Sequence, residues 1–264
     1  MILEACEKVV YMELYYIWIE CIKGLGPFGW HALLGEFGNP YEIYKNRMLL
    51  LPQGSVTRHH IQLIKTGAEE ALEKAKRILD DCKKQDIHII KYDDPEFAEN
   101  IRENIEFPIL FYSKGKRKDN WTHGAGIIGA RRCSPEGKKC AIKIAKQMVD
   151  KNYPIVSGMA KGIDSYSHTA AIKHNGFTIA VLGFGVDQCY PIEHRNLKET
   201  IAEKGLLISE YPPGTPPSKF LFPKRNRIIA GLSDVLYVIE TGKNSGTKTT
   251  VQAAERYGKE IYKW

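Results

Sequence analysis

Long apolar runs are scarce in this chain. The N-terminal stretch "YMELYYIWIECI" is broken by Glu13 and Glu20 and is too short to span a bilayer. No membrane segment is expected, and no signal peptide is evident. Cysteine is also sparse. The six residues form no C-x-x-C pair, and none stands near a histidine at zinc spacing. A metal site and a disulfide framework are therefore not expected, and the thiols read as reduced in a cytoplasmic protein. Internal repeats and low-complexity tracts are missing as well. What remains is an ordinary globular balance, 43% hydrophobic and 26% charged over 264 residues, enough for one large or two smaller domains with a real core.

Net positive charge is missing from one part of the chain and concentrated in the other. Residues 1–114 hold 14 Lys and Arg against 18 Asp and Glu, a net of −4; residues 115–264 hold 24 against 13, a net of +11. The basic excess thus belongs to the C-terminal part, and a phosphate-bearing partner is the simplest reading.

The pattern of residues separates the same two parts. A first segment, 1–66, reads as a small helical domain. Its "GLGPFG", Gly24 to Gly29, resembles the turn of a helix–hairpin–helix, but the local acidic balance favours a packing turn inside the small domain. The second, 67–264, opens on a helix over 68–85 with Ala68, Ala71, Leu72, Ala75, Ile78 and Leu79 at helical spacing. From residue 86 short apolar strands alternate with helices: "DIHIIKY", "FPILFYSKG", "AGIIGA", "PIVSG", "FTIAVLG", "LLISEY", "DVLYVIET" and "KEIYKW" are the strands. This alternation predicts an α/β fold with a doubly wound, mostly parallel sheet.

In such a sheet ligands bind beyond the carboxyl ends of the strands. The loops there are "GARRCSPEG", "SGMAKGID", "GFGVDQCYP", the proline-stiffened "YPPGTPPSKFLFPKRNR" and "ETGKNSGTKTT". Four of the five carry Lys or Arg near a small residue. Glycine lets backbone N–H groups approach an anion, and a following helix N-terminus adds a favourable dipole. Several such loops on one edge point to a polyphosphate or a nucleic-acid backbone. Phe220 and Phe222 lie beside the cations, where a ring can stack on an unpaired base or anchor the loop to the core. Other patterns fail on context. Gly124, Gly126 and Gly129 match a dinucleotide fingerprint but fall before and inside a strand. "GKNSGTKT" (242–249) approaches a P-loop but is one residue short. Ser157 is not in G-x-S-x-G, and His168 and His194 read as structural or surface residues. Asp164 is expected to cap the helix that follows it.

The segments "GIIGARRCSPEG", "IVSGMAKGIDSYSH", "TIAVLGFGVDQCYPIEHRNL", "LISEYPPGTPPSKFLFPKRNRIIAGLSDVLYVIE" and "SGTKTT", in that order, closely resemble the DNA-processing protein A (DprA/Smf) family, from about residue 107 to the end. The N-terminal part resembles that family's SAM-like domain. The resemblance implies an extended Rossmann-type fold that binds single-stranded DNA and forms a homodimer. It also implies protection of incoming strands in natural transformation and loading of the RecA recombinase, with no catalytic activity and no cofactor. Carried over by motif, the DNA-binding residues are Gly129 and Arg131 of the first turn and Ser157, Gly158, Lys161 and Gly162 of the second. Phe222, Lys224, Arg225, Asn226 and Arg227 come from the F-P-x-R-N-R segment. Replacing Arg131 or Arg225 by Ala is expected to weaken DNA binding with little change in melting temperature. Ala130 stands where that family often has Ser, and Lys161 where it often has Arg. The chain ends at "EIYKW", and the family's winged-helix-like C-terminal domain is expected to be absent. The alternative is a nucleotide-binding or phosphoribohydrolase-like Rossmann protein. "SGTKTTVQAAE" shares Gly246 and Thr247 with the motif of those hydrolases but lacks the preceding P-G-G and a Glu at the right offset.

Overall fold

The structure, a computed structural model, describes residues 2–264 except 98, 103, 119–120 and 242–245, and for 2–11, 99 and 100 it describes the backbone only. Two compact units emerge, 1–111 and 112–264.

The first unit is built on helices α1 (Ile2–Cys21), α2 (Gly26–Phe37), α3 (Pro40–Lys45) and α4 (Arg58–Lys84). The run Tyr15 to Ile19 is buried throughout, and the Trp18 indole N–H donates to the Ala68 carbonyl at 3.0 Å. Left-handed backbone at Gly24 and Gly26 makes the reversal between α1 and α2, a conformation glycine adopts without steric cost. The helix expected over 68–85 starts ten residues earlier, at Arg58. Thr57 caps it by accepting from the His60 amide, while His60 Nδ1 accepts from the Thr57 amide. Its apolar stripe runs unbroken from Ile61 to Cys82 and packs on α1. The 66/67 line drawn from sequence therefore falls inside one continuous helix. Strand β1 (His88–Lys91), helix α5 (Glu99–Arg102) and strand β2 (Leu110–Gly115) follow.

The second unit alternates strictly. Strands β3 (Gly124–Gly129), β4 (Ile155–Ser157), β5 (Thr178–Leu182), β6 (Leu206–Ser209), β7 (Ser233–Ile239) and β8 (Glu260–Lys263) are separated by helices α6 (Pro135–Asp150), α7 (Ile163–Lys173), α8 (Arg195–Lys204), α9 (Leu221–Gly231) and α10 (Thr247–Arg256). Strands β3 to β6 are buried almost throughout, which accounts for their near-continuous apolar sequences. Local signals set the helix ends. Ser134 caps α6 by accepting from Gly137 N, and Pro135 occupies its first turn. Small residues Ala141 and Ala145 let α6 pack closely on Ala125, Ile127 and Ile155.

The sheet of the second unit, with the Tyr112–Gly115 part of β2 at its edge, runs β2-β6-β5-β4-β3-β7-β8. The β2–β6 pairing is antiparallel; β3–β4, β3–β7, β4–β5, β5–β6 and β7–β8 are parallel. The doubly wound, mostly parallel α/β fold expected from sequence is thus present. Helices α6, α7 and α8 pack in series, and α9 packs on α10. Right-handed crossovers put the two sets on opposite faces. The chain leaves β3 towards β4 and leaves β7 towards β8, in opposite directions, so the carboxyl ends of β3 and β7 form the topological switch point.

Candidate nucleic-acid interface

A groove of about 760 Å³ opens at this switch point. The end of β3 supplies Gly129 and Arg131, the start of α9 supplies Phe222, Arg225 and Asn226, and α10 supplies Thr247 and Thr250. Tyr190 and Lys219, which the motif reading did not single out, complete the wall. A second groove of about 770 Å³ lies between α9 and α10. It is lined by Lys224, Arg227 and Arg256 and shares Pro223 and Thr249 with the first.

Backbone amides of two strand-end loops at this edge already hold carboxylates of the chain itself. In the "SGMAKGID" turn, the amides of Gly158 and Ala160 donate to Asp164 Oδ2 at 3.1 and 3.3 Å. Asp164 is therefore not the cap expected from sequence. Gly162 holds that position with φ 79°, and Asp164, in the first turn of α7, reaches back over the preceding loop. Its own burial raises its pKa, while the Arg225 charge and the two amides act in the opposite direction. At the end of β3, the Ser134 amide donates to Glu240 Oε2 at 2.8 Å and the Ser134 hydroxyl donates to Oε1. Glu240 holds a left-handed backbone (φ 53°) to do so. The amides read from sequence as a phosphate grip are turned to internal anions. Of the adjoining loop, residues 242–245, which carry the front of the P-loop-like stretch, lie outside the described residues.

The predicted site residues divide on burial. Arg131 is exposed on the groove. Ser157 is buried beneath it and donates to the Ile127 carbonyl at 2.6 Å. Gly158 is glycine because a Cβ there would meet the Arg225 guanidinium; at Gly162 it would meet the Ala130 carbonyl, and at Gly129 the Ile239 carbonyl. Lys161 is exposed and paired with Glu193.

The basic segment after the prolines is mostly turned inward. Arg225 is only 5% exposed. Its Nη1 donates to Gly158 O at 2.9 Å and to Val181 O, and its Nε donates to Asn226 Oδ1 at 3.0 Å. It ties α9 to the ends of β4 and β5. Burial lowers its pKa to about 10, and it keeps its charge at neutral pH. Asn226 donates to the Gly246 carbonyl at 3.0 Å and to Thr249 Oγ1 at 2.8 Å, fastening α9 to the start of α10. Arg227 makes a two-pronged pair with Glu210, at 3.0 and 2.5 Å. Lys224 is exposed and lines the second groove. Phe222 is half-buried, with the edge of Phe184 on it and Tyr190 stacked against it. His168 is structural, as read from sequence. Its Nδ1 meets Thr178 Oγ1 at 2.7 Å, and burial pushes its pKa down to about 3.

A sequence model of the family described as DNA recombination-mediator protein A matches residues 88–264. The chain belongs to that family. It is 32% identical over 258 residues to Protein Smf of Synechocystis, an alignment covering 95% of this chain and 64% of that protein's length. The X-ray structure of DNA processing protein A from Streptococcus pneumoniae is similar, with a TM-score of 0.74 at 30% identity over 93% of this chain and 84% of that one. So is a structure of DNA processing protein A from Helicobacter pylori, whose description concerns its single-stranded DNA binding mode. Its TM-score is 0.59 at 28% identity, over 67% of this chain and 80% of that one. Within the family match fall all eleven predicted site residues, along with Tyr190 and Lys219.

Proposed function

We propose that this chain binds single-stranded DNA in the switch-point groove and serves DNA recombination as a binding protein without chemistry of its own. One observation carries the reading. Two exposed cations, Arg131 and Lys219, share a groove with the Tyr190–Phe222 ring pair, and this groove sits in the basic part of the chain. Cations hold phosphates while rings accept unpaired bases, a combination that suits a single strand better than a duplex with its bases stacked away. Kinship with the DNA recombination-mediator protein A family supports the same partner class. The finer reading follows the family resemblance: protection of incoming strands in transformation, loading of RecA, and assembly as a homodimer.

The nucleotide-hydrolysing alternative asks for strand-end loop amides open to a mononucleotide phosphate. The amides of Gly158, Ala160 and Ser134 are taken by Asp164 and Glu240, which favours a polymer gripped by side chains.

The test is a salt titration of oligo-dT against a duplex of equal length. Single-strand affinity should be the higher and fall steeply with salt, each phosphate contact adding about 0.7 to the log–log slope. Arg131→Ala and Lys219→Ala should each lower oligo-dT affinity by about five- to tenfold and flatten that slope. Duplex preference, or full affinity in both variants, would sink the reading.

A further inference from the structure

Three aromatic rings step from the core to the groove. Phe184 is fully buried at the end of β5. Phe222 is half-buried and takes the Phe184 ring edge-on, with centroids 6.4 Å apart at 85°. Tyr190 stacks on Phe222 at 5.5 Å and 28°, and is 46% exposed on the groove wall. Phe222 is thus covered by a ring on one side and braced by another. The open end of the series is Tyr190.

We infer that Tyr190 is the base-stacking residue of the site, with Phe222 as the ring that holds it in place. The inference rests on the single-strand reading above and names the residue that would take a base. Nearly half of the Tyr190 surface is left in water, apolar ring area that a ligand can still cover. Docked against Phe222, the Tyr190 ring is already oriented, so little conformational freedom is lost when a base lies on it. Arg131 and Lys219 line the same groove and can take the flanking phosphates. Phe220 is more exposed, at 70%, but it does not line this groove, and Lys219 Nζ lies 5.2 Å from its ring centroid. A stacking contact of this kind accepts any base, since every base has a π-face.

The test compares oligo-dT with an abasic oligomer of the same length by fluorescence anisotropy, using wild type, Tyr190→Phe, Tyr190→Leu and Tyr190→Ala. Leu keeps apolar cover over Phe222 and serves as the folded control for Ala. Removing the ring should lower oligo-dT affinity about tenfold, within the range for one stacked base. Phe should bind within twofold of wild type. All four proteins should bind the abasic strand alike within twofold. Equal losses on both oligomers would overturn the inference, because the ring would then act only through the shape of the groove. So would full oligo-dT affinity in Tyr190→Leu, or a loss in Tyr190→Phe as large as in Leu. A wild type that fails to prefer oligo-dT over duplex would instead bring down the single-strand reading, and the Tyr190 assignment with it.

Discussion

Two basic regions of the second unit meet opposite fates. The segment Lys224 to Arg227 is the denser in cations, yet Arg225 is enclosed and Arg227 is neutralised by Glu210. Arg131 and Lys219 stand apart in sequence, and both reach the groove. The difference teaches that charge density along a chain measures cations and not their availability. Arg225 works as a fastener. Strand-end carbonyls at Gly158 and Val181 need donors, and a guanidinium supplies several from one side chain.

The sharpest way to break this comparison is Arg225→Ala. It would take the guanidinium donor from two carbonyls and from Asn226 Oδ1 and leave a buried Asp164 without its cation. The cost is on the order of 3–5 kcal/mol, or a fall in melting temperature of about 10 °C. This reverses the expectation drawn from sequence, under which Arg225 could be removed with little change in stability. Calorimetry of Arg225→Ala beside Arg131→Ala checks it. Arg131→Ala should melt within about 2 °C of wild type, and equal melting of the two variants would erase the distinction.

A second test concerns His168, whose depressed pKa is due first to burial and then to the neighbouring His194 and Arg225 charges. The folded state holds it neutral, so below its unfolded value of about 6.5 the unfolded chain binds the proton in preference. The stability from this group is full above pH ~6.5 and is lost as pH falls towards about 3, at roughly 1.4 kcal/mol per pH unit. Asp164, with its raised pKa, contributes in the opposite sense over part of that range, so the comparison must be with a variant. Denaturant unfolding between pH 7 and pH 4 should lose stability more steeply in wild type than in His168→Gln. Parallel curves would mean that the imidazole is not held neutral.

The smallest effect is expected at Lys161. It is exposed, and its ion pair with Glu193 is a surface one. Lys161→Ala should leave the melting temperature within about 1 °C and weaken oligo-dT binding less than twofold. A loss as large as that in Arg131→Ala would place Lys161 among the DNA-binding cations and redraw the line between the two regions.

Much of the fold was legible because its causes are local. Alternation of short apolar strands with capped helices announced the parallel sheet, and Pro135 marked the first turn of α6. The edge of the helical part was not. The periodicity of α4 crosses residue 66 without any break in composition to mark its start, and only the cap at Thr57 does. In the candidate site, Arg131 and the loop-bearing strand ends were readable from the strand-then-glycine pattern. Tyr190 was not, since one tyrosine in "QCYP" looks like any other until Phe222 is brought to its face.

The sequence by itself determined the order and type of the elements, the basic character of the C-terminal part and the family, because helix periodicity, strand alternation and motif order are written along the chain. Only the tertiary structure decided which charges face outward. Whether a cation meets water, a carbonyl or a carboxylate depends on residues far away in sequence. Gly158 and Val181 enclose Arg225, Glu210 neutralises Arg227, and Asp164 and Glu240 take loop amides that a phosphate would otherwise hold.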